Sequence, residues 1–122
     1  MKNGIKTISY TTNFGKQIDI YFKFHKYLDN GNTAIQIFHR DEESGDEPWS
    51  FLTVNLDLKL PETHAFIDIN NNGGTIVDWL VENGFAENTY CYRRSGFCTY
   101  PLVHLNLDKL KEYGYAEEDS KK

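Results

Sequence analysis

The sequence predicts a single α+β domain over residues 1–116, built on a mainly antiparallel sheet of six or seven strands with two short helices. Three observations carry that prediction. Residues 17–28 alternate at period two, with Ile18, Ile20, Phe22 and Phe24 on one face and Asp19, Tyr21, Lys23 and His25 on the other, the pattern of a half-buried strand. Asn30-Gly31 follows, the pair preferred at the centre of a type I′ turn, and residues 33–39 return as a partner strand with Ile35 and Ile37 on one face. Residues 75–83 instead place Ile76, Trp79, Leu80 and Asn83 along one helical side, with Gly84 where a C-terminal cap prefers glycine and Phe85 able to fold back over the last turn.

The remaining elements follow in order. Residues 5–10 supply a first strand, and 41–48 form a polar loop whose five carboxylates repel one another and favour a solvated, protruding course. Residues 49–58 read as one strand with Leu52, Val54, Leu56 and Leu58 inward and Trp49, Phe51 and Thr53 on the opposite side, ended by Pro61. Ala65, Ile67 and Ile69 alternate with Phe66 and Asp68 in a shorter strand that runs into a turn over residues 70–74. Strand-forming residues flank a Ser95-Gly96 turn, Asn106 is placed to cap a closing helix over 107–113 that Gly114 stops, and residues 117–122 are expected to form a mobile tail.

A chain of 122 residues buries roughly two-thirds of its unfolded surface on folding, enough for one core without metals or disulfides. Aromatic residues make up 15% of it, so rings either fill that core or cover a binding surface. No apolar run is long enough to span a bilayer, and Met1-Lys2-Asn3-Gly4 lacks the apolar segment of a signal peptide, so the expectation is a cytoplasmic protein that does not engage membranes. A net charge of -5 opposes direct binding to phosphate backbones and favours proteins or small molecules as partners.

One stretch, residues 93–101, crowds basic, aromatic, thiol and turn residues as nowhere else in the chain. Arg93, Arg94, Phe97 and Tyr100, with Tyr90 and Tyr92 before them, suit a partner-binding surface, because arginine forks and rigid rings bind with little entropy loss. The bland alternative is that alternate rings pack inward and the arginines hold a solvated turn. Asp41, Glu42, Glu43, Asp46 and Glu47 form the second candidate surface, suited to steering a basic partner.

Cys91 and Cys98 lie on either side of the turn, where their side chains could meet, although two reduced thiols are the ordinary expectation in a cytosolic chain. A metal would need His64 and His104 to join them, at spacings that match no zinc module. A Cys98 nucleophile with His104 or His64 as base and Asp68 orienting it is chemically admissible, yet no nucleophile motif surrounds the thiol. Residues 70–74 lack the lysine of a P-loop, and the acidic loop lacks the order of a calcium loop. No catalytic residue, metal or cofactor is therefore assigned.

The segments Asn30-Gly31-Asn32-Thr33-Ala34-Ile35, Leu52-Thr53-Val54-Asn55-Leu56, residues 68–72 and Ser95-Gly96-Phe97-Cys98-Thr99-Tyr100-Pro101 together resemble a bacterial family catalogued as a domain of unknown function, number 4313. The resemblance runs from Asn30 to about Tyr113, and the chain departs from it with Gly73-Gly74 where a Cys-Pro-Trp type helix start is expected. It implies carriage on phages, plasmids or conjugative elements and supplies no activity. Small acidic proteins in that setting often disable a host defence protein, so the leading expectation is a non-enzymatic inhibitor of a CRISPR or restriction effector. The alternatives are a small cysteine-dependent enzyme or ligand-binding domain centred on Cys98, and a nucleic-acid-binding module using Arg93 and Arg94.

Overall fold

In the computed structural model, which describes residues 5–12, 14–43 and 45–116, the alternating run forms β2 (Gln17–Lys26) at the centre of a five-stranded sheet. Its neighbours are β3 (Thr33–Asp41) on one side and, on the other, β1 (Ile8–Thr11) beside its first half and β9 (Gly114–Ala116) beside its second. β4 (Gly45–Phe51) pairs with β3 and ends that sheet. A second sheet runs in the order β5 (Thr53–Val54), β6 (His64–Ile67), β8 (Cys98–Leu105), β7 (Ala86–Ser95). Every pairing is antiparallel except that of β9 with β2. With helices α1 (Ile69–Asn72), α2 (Ile76–Glu82) and α3 (Leu107–Lys111), the architecture is the α+β class expected.

The two sheets share one chain segment. Residues 49–58, read as a single strand, break at Leu52, whose N–H donates to the Ile35 carbonyl of β3 at 2.9 Å while its own carbonyl accepts from Asp68 N–H, also at 2.9 Å. Leu52 is fully buried and bonded into both sheets, so β4 and β5 are the two arms of a strand that changes sheet at a bend. The bend also resets the faces beyond it. Thr53, expected outside, is buried with its hydroxyl 2.9 Å from that of Tyr27, whereas Leu58, expected inside, is exposed.

Between the sheets, Ile20, Phe22, Ile35 and Ile37 meet Ala65, Ile67, Val103 and Leu105, with Ile76 and Leu80 of α2 and Leu110 of α3 closing one side. Phe85 sits among the rings of Phe22, Trp79 and Tyr113 at centroid distances of 5.5 to 5.6 Å. The end of α2 delivers it there. Gly84 takes φ +76, its N–H donates to Val81, and Phe85 N–H reaches back to the Leu80 carbonyl at 2.9 Å, which is the expected glycine cap. Asn106 caps α3 as expected, its side chain accepting from Lys109 N–H.

Several local expectations are corrected. Asn30-Gly31 joins β2 to β3, but as part of a longer loop: Tyr27 N–H donates to the Asn32 carbonyl and Gly31 N–H to that of Tyr27. The physical reason is Asn32, which is buried and cross-links the loop to Leu58 and Leu60 instead of sitting in a two-residue turn. Ile69 and the residues after it form α1, because Asp68 accepts from Asn71 N–H as an N-cap and ends the strand. Tyr21, expected on the solvent face, is completely buried, stacked on Phe38 with the Arg40 guanidinium over its ring. Phe66 is likewise buried on the face expected to be outward. Gly114 does end the helical segment, yet it also opens β9, a strand absent from the sequence reading. The tail expected over 117–122 lies outside the described residues.

Candidate functional site

The 93–101 stretch forms the outer part of a two-stranded arm, β7 and β8, and the register revises its turn by one residue. Ser95 pairs with Cys98, so the two loop residues are Gly96 and Phe97, with Gly96 at φ +63 in the first central position. Phe97 is thereby lifted to the tip and left completely exposed (101%). Arg94 Nε donates to the Gly96 carbonyl at 3.3 Å and braces the turn.

A bulge aims the arm. Asn88 pairs with Val103 and Cys91 with Leu102, so Thr89 and Tyr90 are extra on β7. Thr89 Oγ1 donates to the Leu102 carbonyl at 2.7 Å and accepts from Cys91 N–H at 3.1 Å, while Tyr90 N–H donates to Asn88 Oδ1 at 2.9 Å. These bonds hold Tyr90 at φ +61, a conformation an aromatic residue adopts only under constraint. Beyond the bulge, β7 is exposed on both faces, and Tyr90 (76%) and Tyr92 (58%) stand in solvent.

Residues directly opposite each other share a face, so the register divides the candidate residues between two surfaces. Arg93 faces Tyr100, on the side that also carries Cys91 and Cys98; Arg94 faces Thr99 on the other side, with Tyr92 opposite Pro101. The single aromatic and basic surface expected is thus two narrower ones meeting at Phe97. Tyr100 is half-buried, and contact with the Cys98 thiol, then burial, then the negative charge of Asp68 raise its hydroxyl above the ordinary tyrosine value.

The thiols do not meet. Cys98 lies opposite Ser95, and the strand between Ser95 and Cys91 spans about 14 Å at about 3.4 Å per residue, far beyond disulfide reach. Nor does Cys98 meet a base. His104 lies on the same strand about 20 Å away by the same rise, and His64 pairs with His104, so the cysteine–histidine pair is not assembled. Asp68 caps α1 instead of orienting a histidine. Among the described residues, no group of three or more His, Cys, Asp or Glu side chains gathers as a metal site.

The two histidines stack on each other, rings nearly parallel (3°) at 4.8 Å, with Thr63 Oγ1 3.0 Å from His64 Nδ1 and Glu87 Oε1 3.7 Å from His104 Nδ1. Burial first, and then the charge of His104, lower the His64 pKa from its ordinary 6.5. A base whose pKa is lower in the folded state binds fewer protons there than in the unfolded chain. The stability it contributes is therefore complete above pH 6.5 and declines as pH falls from 6.5 towards the folded value. Urea denaturation at stepped pH should show that decline in the native chain and a shallower one in His64→Phe, which keeps a ring on His104.

The acidic loop is only partly the solvated cluster expected. Asp46 Oδ2 accepts from the Tyr21 hydroxyl at 2.8 Å and its Oδ1 from Arg40 Nε at 3.4 Å. Burial, followed by that bond to Asp46, holds the Tyr21 hydroxyl well above its ordinary range. Asp41 Oδ1 accepts from Glu43 N–H, and Glu47 Oε1 lies 4.0 Å from His39 Nδ1. Glu42, Glu43 and Glu47 are exposed, whereas Asp46 is a structural anchor under a buried ring.

A further feature escaped the sequence reading because its parts are far apart in the chain. Phe14, Trp49, Ser50, Phe51, Asp68 and Asn71 line an open cavity of about 400 Å³. The only signal for it was Trp49 and Phe51 on the outward side of a strand.

No curated protein and no solved structure matches the chain. The family model described as a domain of unknown function, DUF4313, matches residues 21–120, and the chain therefore belongs to that family.

Proposed function

We propose that the chain is a non-enzymatic protein-binding module whose β7–β8 arm is the docking element, and that its partner is a host defence effector of the CRISPR or restriction type. The observation that carries the docking role is the exposure of Tyr90, Tyr92 and Phe97 on an arm that also presents Arg93 and Arg94. Burying Tyr92 and Phe97 in the folded chain would have been the default for side chains of that size. Rigid rings beside arginines are the usual energetic anchors of protein interfaces. The defence target rests on the genetic setting that the family resemblance implies, and on the acidity of a chain that favours basic protein surfaces.

Binding kinetics against a captured effector, at two salt concentrations, test this reading. Alanine at Tyr92, Arg94 or Phe97 should speed dissociation by about tenfold or more, because anchors set residence time. Neutralising Glu42, Glu43 and Glu47 together should slow association and flatten its salt dependence, since long-range charge acts on encounter. Asp46 is left intact because Tyr21 depends on it. Circular dichroism confirms that each variant is folded. Unchanged rate constants in both sets would place the interface elsewhere.

A further inference from the structure

We propose that the cavity between β4, α1 and the β1–β2 loop is a cation site that takes a guanidinium group, the head of an arginine side chain. Three aromatic residues are among those that line it, and all three are exposed: Phe14 (88%), Trp49 (38%), whose ring also meets His39 at 5.9 Å, and Phe51 (44%), whose ring also meets His25 at 6.2 Å. Asp68 is the one charged residue among the lining side chains and is itself only 8% exposed.

The carboxylate is held by neutral donors. Its Oδ1 accepts from Asn71 N–H at 3.1 Å and its Oδ2 from Asn71 Nδ2 at 2.8 Å, both neutral donors. Each oxygen keeps a second acceptor position. Among the described residues, no ion pair involves Asp68. Burial first, with the negative charge of Asp68 adding to it, raises the Tyr27 hydroxyl above its ordinary value. A buried carboxylate in a cavity lined by exposed aromatic residues matches a guanidinium in two ways at once: the planar fork meets the carboxylate, and the weakly hydrated plane stacks on rings. A neutral amide of the same shape satisfies neither the charge nor the ring quadrupoles. The net charge of -5 adds a general attraction for cations.

The site goes beyond the docking arm, because it is tested on the chain alone with a small probe. Titrating n-butylguanidinium while following the indole resonance of Trp49, assigned by Trp49→Phe, and the side-chain amide of Asn71 should give saturable shifts at both. Butylurea, the neutral isostere, should bind about tenfold more weakly or not at all. Asp68→Asn retains an N-cap side chain for α1 and should lose about tenfold in affinity, which separates loss of charge from loss of fold. Phe14→Ala, at an exposed loop position, should weaken binding severalfold with no change in melting temperature. Equal binding of butylurea, wild-type affinity in Asp68→Asn, or absence of saturable shifts would each overturn the proposal. Any of those outcomes leaves the kinetic test of the arm unaffected.

Discussion

Gly114→Val should cost the fold about 3 kcal/mol or more and lower the melting temperature by about 10 to 20 °C. Gly114 lies opposite Phe22 in the parallel pairing of β9 with β2, and Phe22 N–H donates to the Tyr113 carbonyl at 2.9 Å. A Cβ placed on Gly114 would sit 2.1 Å from the Phe22 carbonyl oxygen and 2.9 Å from its carbonyl carbon. Backbone cannot yield as the end of a side chain can, so any substituent forces β9 away from β2. That displacement strips Tyr115 from its place beside Tyr21, a ring buried completely under Phe38 and Tyr115. Even Gly114→Ala should be destabilising. Thermal melts followed by circular dichroism decide it, and a Gly114→Val transition within about 2 °C of the native chain would show that β9 contributes little.

Asn72→Leu should be the second severe substitution, at about 2 to 4 kcal/mol. Asn72 is 4% exposed, and its side-chain amide donates to the Phe51 carbonyl at 2.8 Å and the Asp68 carbonyl at 2.9 Å while its Oδ1 accepts from Ser50 Oγ at 2.7 Å. Leucine keeps the γ-branched outline with more bulk, and leaves the Ser50 hydroxyl and the Phe51 carbonyl without those partners. Asn72→Asp should do no better, because a carboxylate would then face two carbonyl oxygens. Ser50→Ala removes one bond and should cost about 1 kcal/mol. Urea denaturation measures all three, and equal midpoints for Asn72→Leu and Ser50→Ala would mean that the amide donors carry no weight.

These two residues mark where the sequence stops being readable. The β2–β3 pairing was legible because period-two alternation and a nearby turn are local signals, and the α2 cap was legible because Gly84 and Phe85 act on the preceding turn. Asn72 looked like one more polar turn residue. Its partners come from β4 and from the start of its own helix, and the β4 contact depends on the Leu52 bend, which leaves no local pattern. Gly114 was read as a helix stop, a role open to any glycine there, whereas its closest neighbour is a backbone carbonyl far away in sequence. For the candidate site, composition left open whether the rings of the arm face solvent or pack inward, and it gave no sign of their division into two faces. A one-residue shift of the turn changes every cross-strand partner, and Ser95-Gly96 and Gly96-Phe97 are both plausible turn centres from composition.

The arm also has to avoid the wrong neighbours. β7 is the edge of its sheet, and in a hairpin closed by Ser95 and Cys98 the backbone groups of Tyr92 and Arg94 point outward, free to template another strand. A bare ribbon of strand-forming rings with that edge would zip against its own copies. The Thr89–Tyr90 bulge interrupts the regular edge at its base, and two adjacent arginines, one to each face, set like charges against any second β7 that approaches in register. The bulge and the paired arginines therefore act together as a guard against edge-to-edge pairing of the arm with its own copies.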